Sequence, residues 1–237
     1  MKKLLVVCIA AAALCATPAL AADMAVKAPP PVAAAPGYSW TGFYIGLEGG
    51  GAWGQAEQTS PRPFDSGKYS TSGGLFGGTV GYNWQSGAAV FGLETDLSWA
   101  SIRGSTTGTN PAFGTCFGSP PNCNSKIEAL GTVRGRLGYA WQNLLPYITG
   151  GLAYANLHGA EGTGGFGGSG STWVAGWTIG GGLEAVIYKN WTAKLEYLYF
   201  DLGNQGVFTD IESVGLVPQS LRETAQVVRG GINYRFQ

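Results

Sequence analysis

Few residues in this chain of 237 could carry acid–base, nucleophilic or metal chemistry. There is one histidine, His158, set in Leu157-His158-Gly159 with only Glu161 close by in sequence. A lone imidazole can ligate haem iron. A hydrolytic constellation would also need a nucleophile and an orienting carboxylate brought from elsewhere. Cys116 and Cys123 stand with six residues between them in a stretch rich in Gly, Pro and Asn. Without a neighbouring His they make a poor zinc site. In an oxidising compartment the same spacing reads as a disulfide closing a small loop. The Gly-rich run from Gly159 to Ser171 lacks the Lys and following apolar helix of a phosphate cradle, and reads as a loop. What remains is charge. Glu48, Glu94, Asp96, Glu128, Arg134, Arg136, Glu184, Lys194, Glu196, Arg229 and Arg235 lie inside patterned segments, and the chemistry open to them is pairing with one another.

The N-terminus sets the compartment in which these groups act. Lys2 and Lys3 precede an apolar run from Leu4 to Ala16, and Ala19-Leu20-Ala21 offers a small-x-small cleavage site. The run is too short for a spanning helix and suits a signal peptide over residues 1–21. Cys15 follows Leu14 rather than a small residue, which does not fit a lipoprotein cleavage site. Cys8 and Cys15 leave with the signal, as do Lys2 and Lys3, so 12 basic residues face 14 acidic ones in the mature chain. Residues 22–39, rich in Ala and Pro with Pro29-Pro30-Pro31, read as an extended periplasmic linker.

From residue 40 to 237 the apolar period is two. Eight segments alternate. In the first, Phe43, Ile45, Leu47 and Trp53 oppose Tyr44 and Glu48. In the second, Phe76, Val80, Tyr82 and Trp84 oppose Thr79 and Asn83. In the third, Phe91, Leu93, Leu97 and Trp99 oppose Glu94, Asp96 and Ser98. In the fourth, Ala129, Val133, Leu137, Tyr139 and Trp141 oppose Glu128, Thr132, Arg134 and Arg136. The fifth runs from about Tyr147 to Asn156. The sixth sets Trp173, Trp177, Ile179, Leu183 and Ile187 against Thr178 and Glu184. The seventh sets Trp191, Leu195, Tyr197 and Tyr199 against Lys194 and Glu196. The eighth sets Val228, Ile232, Tyr234 and Phe236 against Arg229, Asn233 and Arg235. Short turns at Ser86-Gly87-Ala88, Gln142 to Leu145 and Lys189-Asn190 alternate with loops of roughly 15 to 25 residues, a segregation typical of outer-membrane barrels.

All eleven charges fall on the face opposite the aromatic and branched residues. A charge facing lipid at the midplane costs roughly 2–4 kcal/mol, so a sheet that crosses lipid sorts its charges inward. A barrel of eight strands is filled by its own side chains. The predicted fold class is therefore an all-β, eight-stranded antiparallel up-and-down transmembrane barrel with an interior ion network, in which Glu94 and Asp96 face Arg134 and Arg136 on the adjacent strand. Trp53, Trp84, Trp99, Trp141, Trp173, Trp191, Tyr139, Tyr199 and Tyr234 are expected near strand ends as two interfacial belts. Glycine makes up 40 residues and charged residues only 12%, a composition that fits such a sheet better than a soluble enzyme or a nucleic-acid binder.

Three segments carry a family likeness: Trp40-Thr41-Gly42-Phe43-Tyr44-Ile45-Gly46, Lys194-Leu195-Glu196-Tyr197-Leu198-Tyr199-Phe200-Asp201-Leu202-Gly203, and Gly231-Ile232-Asn233-Tyr234-Arg235-Phe236. Together they resemble the small outer-membrane β-barrel proteins of alphaproteobacteria such as brucellae, bartonellae and rhizobia, related in fold to the OmpA membrane domain. The resemblance implies a surface structural protein that supports envelope integrity. With no reaction constellation among its residues, the chain is expected to be non-catalytic, monomeric and without a resident cofactor. Its implied partners are outer-membrane lipid, lipopolysaccharide and the barrel assembly machinery, which would read Tyr234 and Phe236 at the C-terminus. That terminal aromatic is usually the last residue of the family, whereas Gln237 follows it here. Small pores and haem binding reported for some members are the alternatives, the latter through His158.

Overall fold

The computed structural model describes residues 38–60, 64–106, 123–161, 169–206 and 220–236. The signal and linker segments up to residue 37, Cys116 and Gln237 lie outside the described residues.

Eight strands form one closed antiparallel barrel: β1 (Gly42–Ser60), β2 (Phe64–Ser86), β3 (Ala89–Thr106), β4 (Cys123–Tyr139), β5 (Leu144–Glu161), β6 (Ser169–Tyr188), β7 (Trp191–Gly206) and β8 (Ser220–Phe236). Each strand pairs with its sequence neighbours, and β8 returns to β1 with Phe43 opposite Phe236. Closure leaves no open edge and satisfies the ladder internally, which is the condition for backbone to cross lipid as strands.

Three two-residue turns, Gly87-Ala88, Gln142-Asn143 and Lys189-Asn190, close one end of the barrel. The first residue of each has positive φ, at 61°, 53° and 46° respectively. Positive φ at this position matches the right-handed twist of the flanking strands. Trp141 and Leu144 exchange both backbone hydrogen bonds, at 2.8 and 2.9 Å, so the second turn is tighter than the expected Gln142 to Leu145.

At the other end the strands outrun the sequence reading. The fifth strand, expected from Tyr147 to Asn156, spans Leu144–Glu161. Only residues 61–63 separate β1 from β2, where a long loop was expected. His158, expected at the start of a loop, lies within β5 opposite Lys126 and Ser171. Polar and small residues fill these extensions. They keep the ladder without a strong alternation signal, so periodicity alone stops short of them.

The outer surface carries the apolar belt. Leu47, Leu93, Leu152, Ile179, Leu195 and Ile232 project outward and are exposed. Trp53 lies ten positions after Phe43 on β1, about 33 Å along the strand and about 25 Å in height after tilt, the depth of an outer-membrane apolar band. Near the tight turns Tyr82 packs at a tilt against Trp84 with ring centroids 4.6 Å apart, and Trp191 meets Tyr234 edge to face at 5.2 Å. At the far boundary Trp177 meets Tyr199 at 5.6 Å. The far aromatics do not sit at strand ends as expected. β1 continues seven residues past Trp53 to Ser60.

The interior is filled in three layers. Next to the tight turns, Trp40, Val90 and Leu145 form an apolar cap. A charged layer follows. Above it, on the side away from the turns, sixteen residues including Leu75, Ile102, Ile127, Leu130, Leu157, Val174, Leu198, Phe200 and Leu202 form an apolar core. Glycine makes room where rings cross the sheet. A Cβ on Gly81 would lie 2.3 Å from the Tyr44 hydroxyl oxygen, and on the outer face a Cβ on Gly131 would lie 2.4 Å from the Tyr154 ring.

Candidate functional site

The charged layer is the densest assembly of functional groups in the barrel. Alternation along β1, β3, β4, β6, β7 and β8 turns every second side chain inward, so ten of the eleven strand charges converge on the axis. Each is at most 4% exposed. The eleventh is Glu128. The ladder of β4 slips between Ile127 and Ala129, a bulge that resets parity. Glu128 therefore does not point inward. Its side chain is 44% exposed and pairs with Lys126 at 2.7 Å. Alternation counted in one frame cannot register a bulge, which is why the sequence placed Glu128 inside.

Arg134 is the centre of the layer. It bonds Glu94 directly, Glu196 at 2.9 Å and Asp96 at 3.2 Å, and its Nε donates to Thr132 at 2.8 Å. Glu94 and Arg134 stand opposite one another in register. Arg229, from the far side of the barrel, bonds Glu48, Asp96 at 3.1 Å and Glu196 at 2.7 Å. Lys194 bridges Glu48 at 2.9 Å and Glu94 at 3.3 Å. Arg136 does not reach Asp96. It pairs with Glu184 at 2.7 Å, approaches Glu94 at 3.6 Å, and lies over the Tyr147 ring at 4.0 Å. Arg235, 3.8 Å from Glu184, donates to the Trp40 carbonyl oxygen and joins this layer to the cap. Five carboxylates thus meet five cations. Each lone pair or N–H that such a cluster satisfies offsets part of the desolvation cost of burying ions.

Neutral side chains complete the layer, and these the sequence reading left out of the network. Tyr44 donates to Glu94 at 2.7 Å and accepts from Arg136 at 3.1 Å. Tyr147 donates to Glu196 at 3.1 Å, and Thr192 donates to Glu184 at 2.6 Å. The signal for Tyr44 was present, since it shares the parity of Glu48. Its own aromatic character counted against it. Glu223 was also missed, because it lies in the β8 extension. It is 1% exposed, and neither carboxylate oxygen has a hydrogen-bond partner among the described residues.

The remaining expected site residues are dispersed. Tyr234 and Phe236 lie on the outer face of β8, with rings 5.1 Å apart. Cys123 opens β4, but its predicted disulfide partner Cys116 lies outside the described residues. Among the described residues no group of three or more His, Cys, Asp or Glu is placed to hold a metal ion.

A closed eight-strand barrel with an apolar exterior and a charged interior is the arrangement of a bacterial outer-membrane protein, and comparison with known proteins agrees. The profile described as the outer membrane protein beta-barrel domain matches residues 7–236. The chain belongs to this family. It is 39% identical to the 31 kDa outer-membrane immunogenic protein of Brucella melitensis, over 95% of this chain and 96% of the relative. It is 30% identical to the 25 kDa outer-membrane immunogenic protein of Brucella abortus, over 100% and 99% of the two chains. It is 35% identical to the 22 kDa outer membrane protein of Rhizobium leguminosarum, over 70% and 66%. Among solved structures it is similar to the outer membrane protease OmpT of Escherichia coli, with a TM-score of 0.50, 7% identity and coverage of 82% and 97%. That likeness is one of fold. Membership of the family places the protein in the outer membrane, with the tight turns on the periplasmic side and the long strand extensions outside the cell.

Proposed function

We propose that this family member is a structural surface barrel that supports outer-membrane integrity and carries out no catalysis. The observation behind this reading is the filled interior. Cap, ion layer and apolar core follow one another along the axis, built from inward side chains of all eight strands. A solute crossing the barrel would have to displace an ion layer tied by eleven buried contacts between five acids and five bases, and then an apolar core. A diffusion pore is hard to reconcile with that packing. The five carboxylates of the ion layer also serve as partners of buried cations, which leaves none of those five free as a general base.

The role is tested in the producing bacterium. Deletion of the gene should raise uptake of a normally excluded dye and sensitivity to detergent, and expression of the intact chain should restore both. Unchanged dye uptake and detergent sensitivity on deletion would overturn the proposal.

A further inference from the structure

The outer surface carries a cross-strand pair of cations that nothing in the interior explains. On the extracellular half of the barrel, Arg103 of β3 stands directly opposite Lys126 of β4, and His158 of β5 holds the next register position. Ser72 and Ser171 continue the row onto β2 and β6. Residues directly opposite across an antiparallel pair project from the same face with Cβ atoms about 5 Å apart, and like charges so placed repel. Among the described residues Lys126 pairs with one acid, Glu128, at 2.7 Å. Arg103 is exposed and has no ion pair among the described residues. The row therefore keeps a net positive charge.

Its height is informative. Trp99 lies four residues before Arg103 on the same outer face and is 74% exposed. Four residues are about 13 Å along a strand, or about 10 Å in height after tilt. Tyr154 and Trp173, with ring centroids 6.1 Å apart, extend the same aromatic floor under β5 and β6. Long Arg and Lys side chains standing above an aromatic belt reach down to the headgroup level while keeping their charge in the polar zone.

A second basic region, on β1, β2 and β8, offers a contrast. Lys68 and Arg222 border a polar cleft of about 250 Å³, but both stand opposite Glu57 in register, and Arg222 also pairs with Asp201 at 3.5 Å. Those cations have acids of their own. The Arg103–Lys126 row does not have enough.

We infer that the Arg103–Lys126 pair is a binding site for the phosphate groups of an outer-leaflet glycolipid. This rests on the reading of the protein as an envelope-supporting barrel and names what it would grip. An anionic headgroup shared between Arg103 and Lys126 turns a repulsive cross-strand pair into a bridged one, while acyl chains lie over Trp99, Tyr154 and Trp173.

The test uses the full-length mature protein refolded in detergent micelles, with native mass spectrometry of retained lipid. Diphosphoryl lipid A and its dephosphorylated counterpart are the probes. The Arg103→Gln/Lys126→Gln protein should retain diphosphoryl lipid A about tenfold less than wild type. Lys68→Gln, a cation four residues farther from the turns than Ser72 and opposite Glu57 in register, should retain it as wild type does. The dephosphorylated lipid should bind all three proteins equally weakly. Equal retention by wild type and the double variant overturns the inference, as does an equal loss in Lys68→Gln. Displacement by inorganic phosphate at matched concentration also overturns it, since it would mark a site for free anions. If the double variant does not fold, as judged by its mobility on gels before boiling, the single Arg103→Gln and Lys126→Gln proteins carry the same comparison. The two readings fail separately. Lost lipid retention beside an intact envelope phenotype sinks this inference alone, whereas an unchanged phenotype on deletion leaves lipid retention to stand or fall in vitro.

Discussion

At the residue scale the barrel distinguishes charges that belong to a network from one that does not. Arg134 bonds three carboxylates and a threonine. Arg134→Met leaves Glu94, Asp96 and Glu196 under-compensated in a dry interior, and should lower stability to urea unfolding in micelles by about 3–5 kcal/mol. Glu223 is the opposite case. It is buried with both oxygens unpartnered, so Glu223→Met should stabilise the barrel by about 1–3 kcal/mol in the same assay. A loss of stability on that change would mean that Glu223 has a partner in the membrane-embedded protein. Leu195 projects into the belt midway between Trp191 and Tyr199. Leu195→Arg should cost about 2–4 kcal/mol, whereas Ser101→Arg, beyond the aromatic boundary, should cost under about 1 kcal/mol.

At the element scale, what the sequence disclosed and what it hid divide along physical lines. The central parts of all eight strands were legible because lipid forces apolar residues to alternate with interior ones, as Leu93, Leu97 and Trp99 do against Glu94 and Asp96. Two features broke that logic. The extensions, such as Leu157 to Glu161 in β5, stand above the bilayer where no such force acts. The bulge at Glu128 adds a residue that shifts the frame, so Ile127 is buried although its parity matches that of lipid-facing Val133. The turns were found through their brevity and polar residues. Their strain was not, because Gln142 and Lys189 are unusual residues at positive φ. Lys189→Gly should remove part of the left-handed penalty of roughly 1–2 kcal/mol. A gain of a few tenths to about 1 kcal/mol is expected, measured as a higher urea midpoint. Gly81→Val should act the other way. The new side chain would meet the Tyr44 hydroxyl and displace it from Glu94, at a cost of about 1–3 kcal/mol.

At the scale of the whole molecule, the ion layer was half legible. Parity gathered the charges inward, and the strand order put Glu94 beside Arg134. The cross-barrel partners could not be read, because Arg229 reaches Asp96 and Arg134 reaches Glu196 through space that only closure creates. The apolar core above the ion layer was hidden for a related reason. Leu198, Phe200 and Leu202 alternate with Tyr197 and Tyr199, so both faces of β7 are apolar there and periodicity loses contrast. That core, the ion layer and the cap make the barrel a closed plug as well as a membrane span. Conductance of the refolded protein in planar lipid bilayers tests this most directly. Under an applied potential no unitary ion-selective steps are expected, for wild type and for a protein whose extracellular ends have been trimmed by protease. Reproducible, ion-selective steps from folded wild-type protein would contradict it.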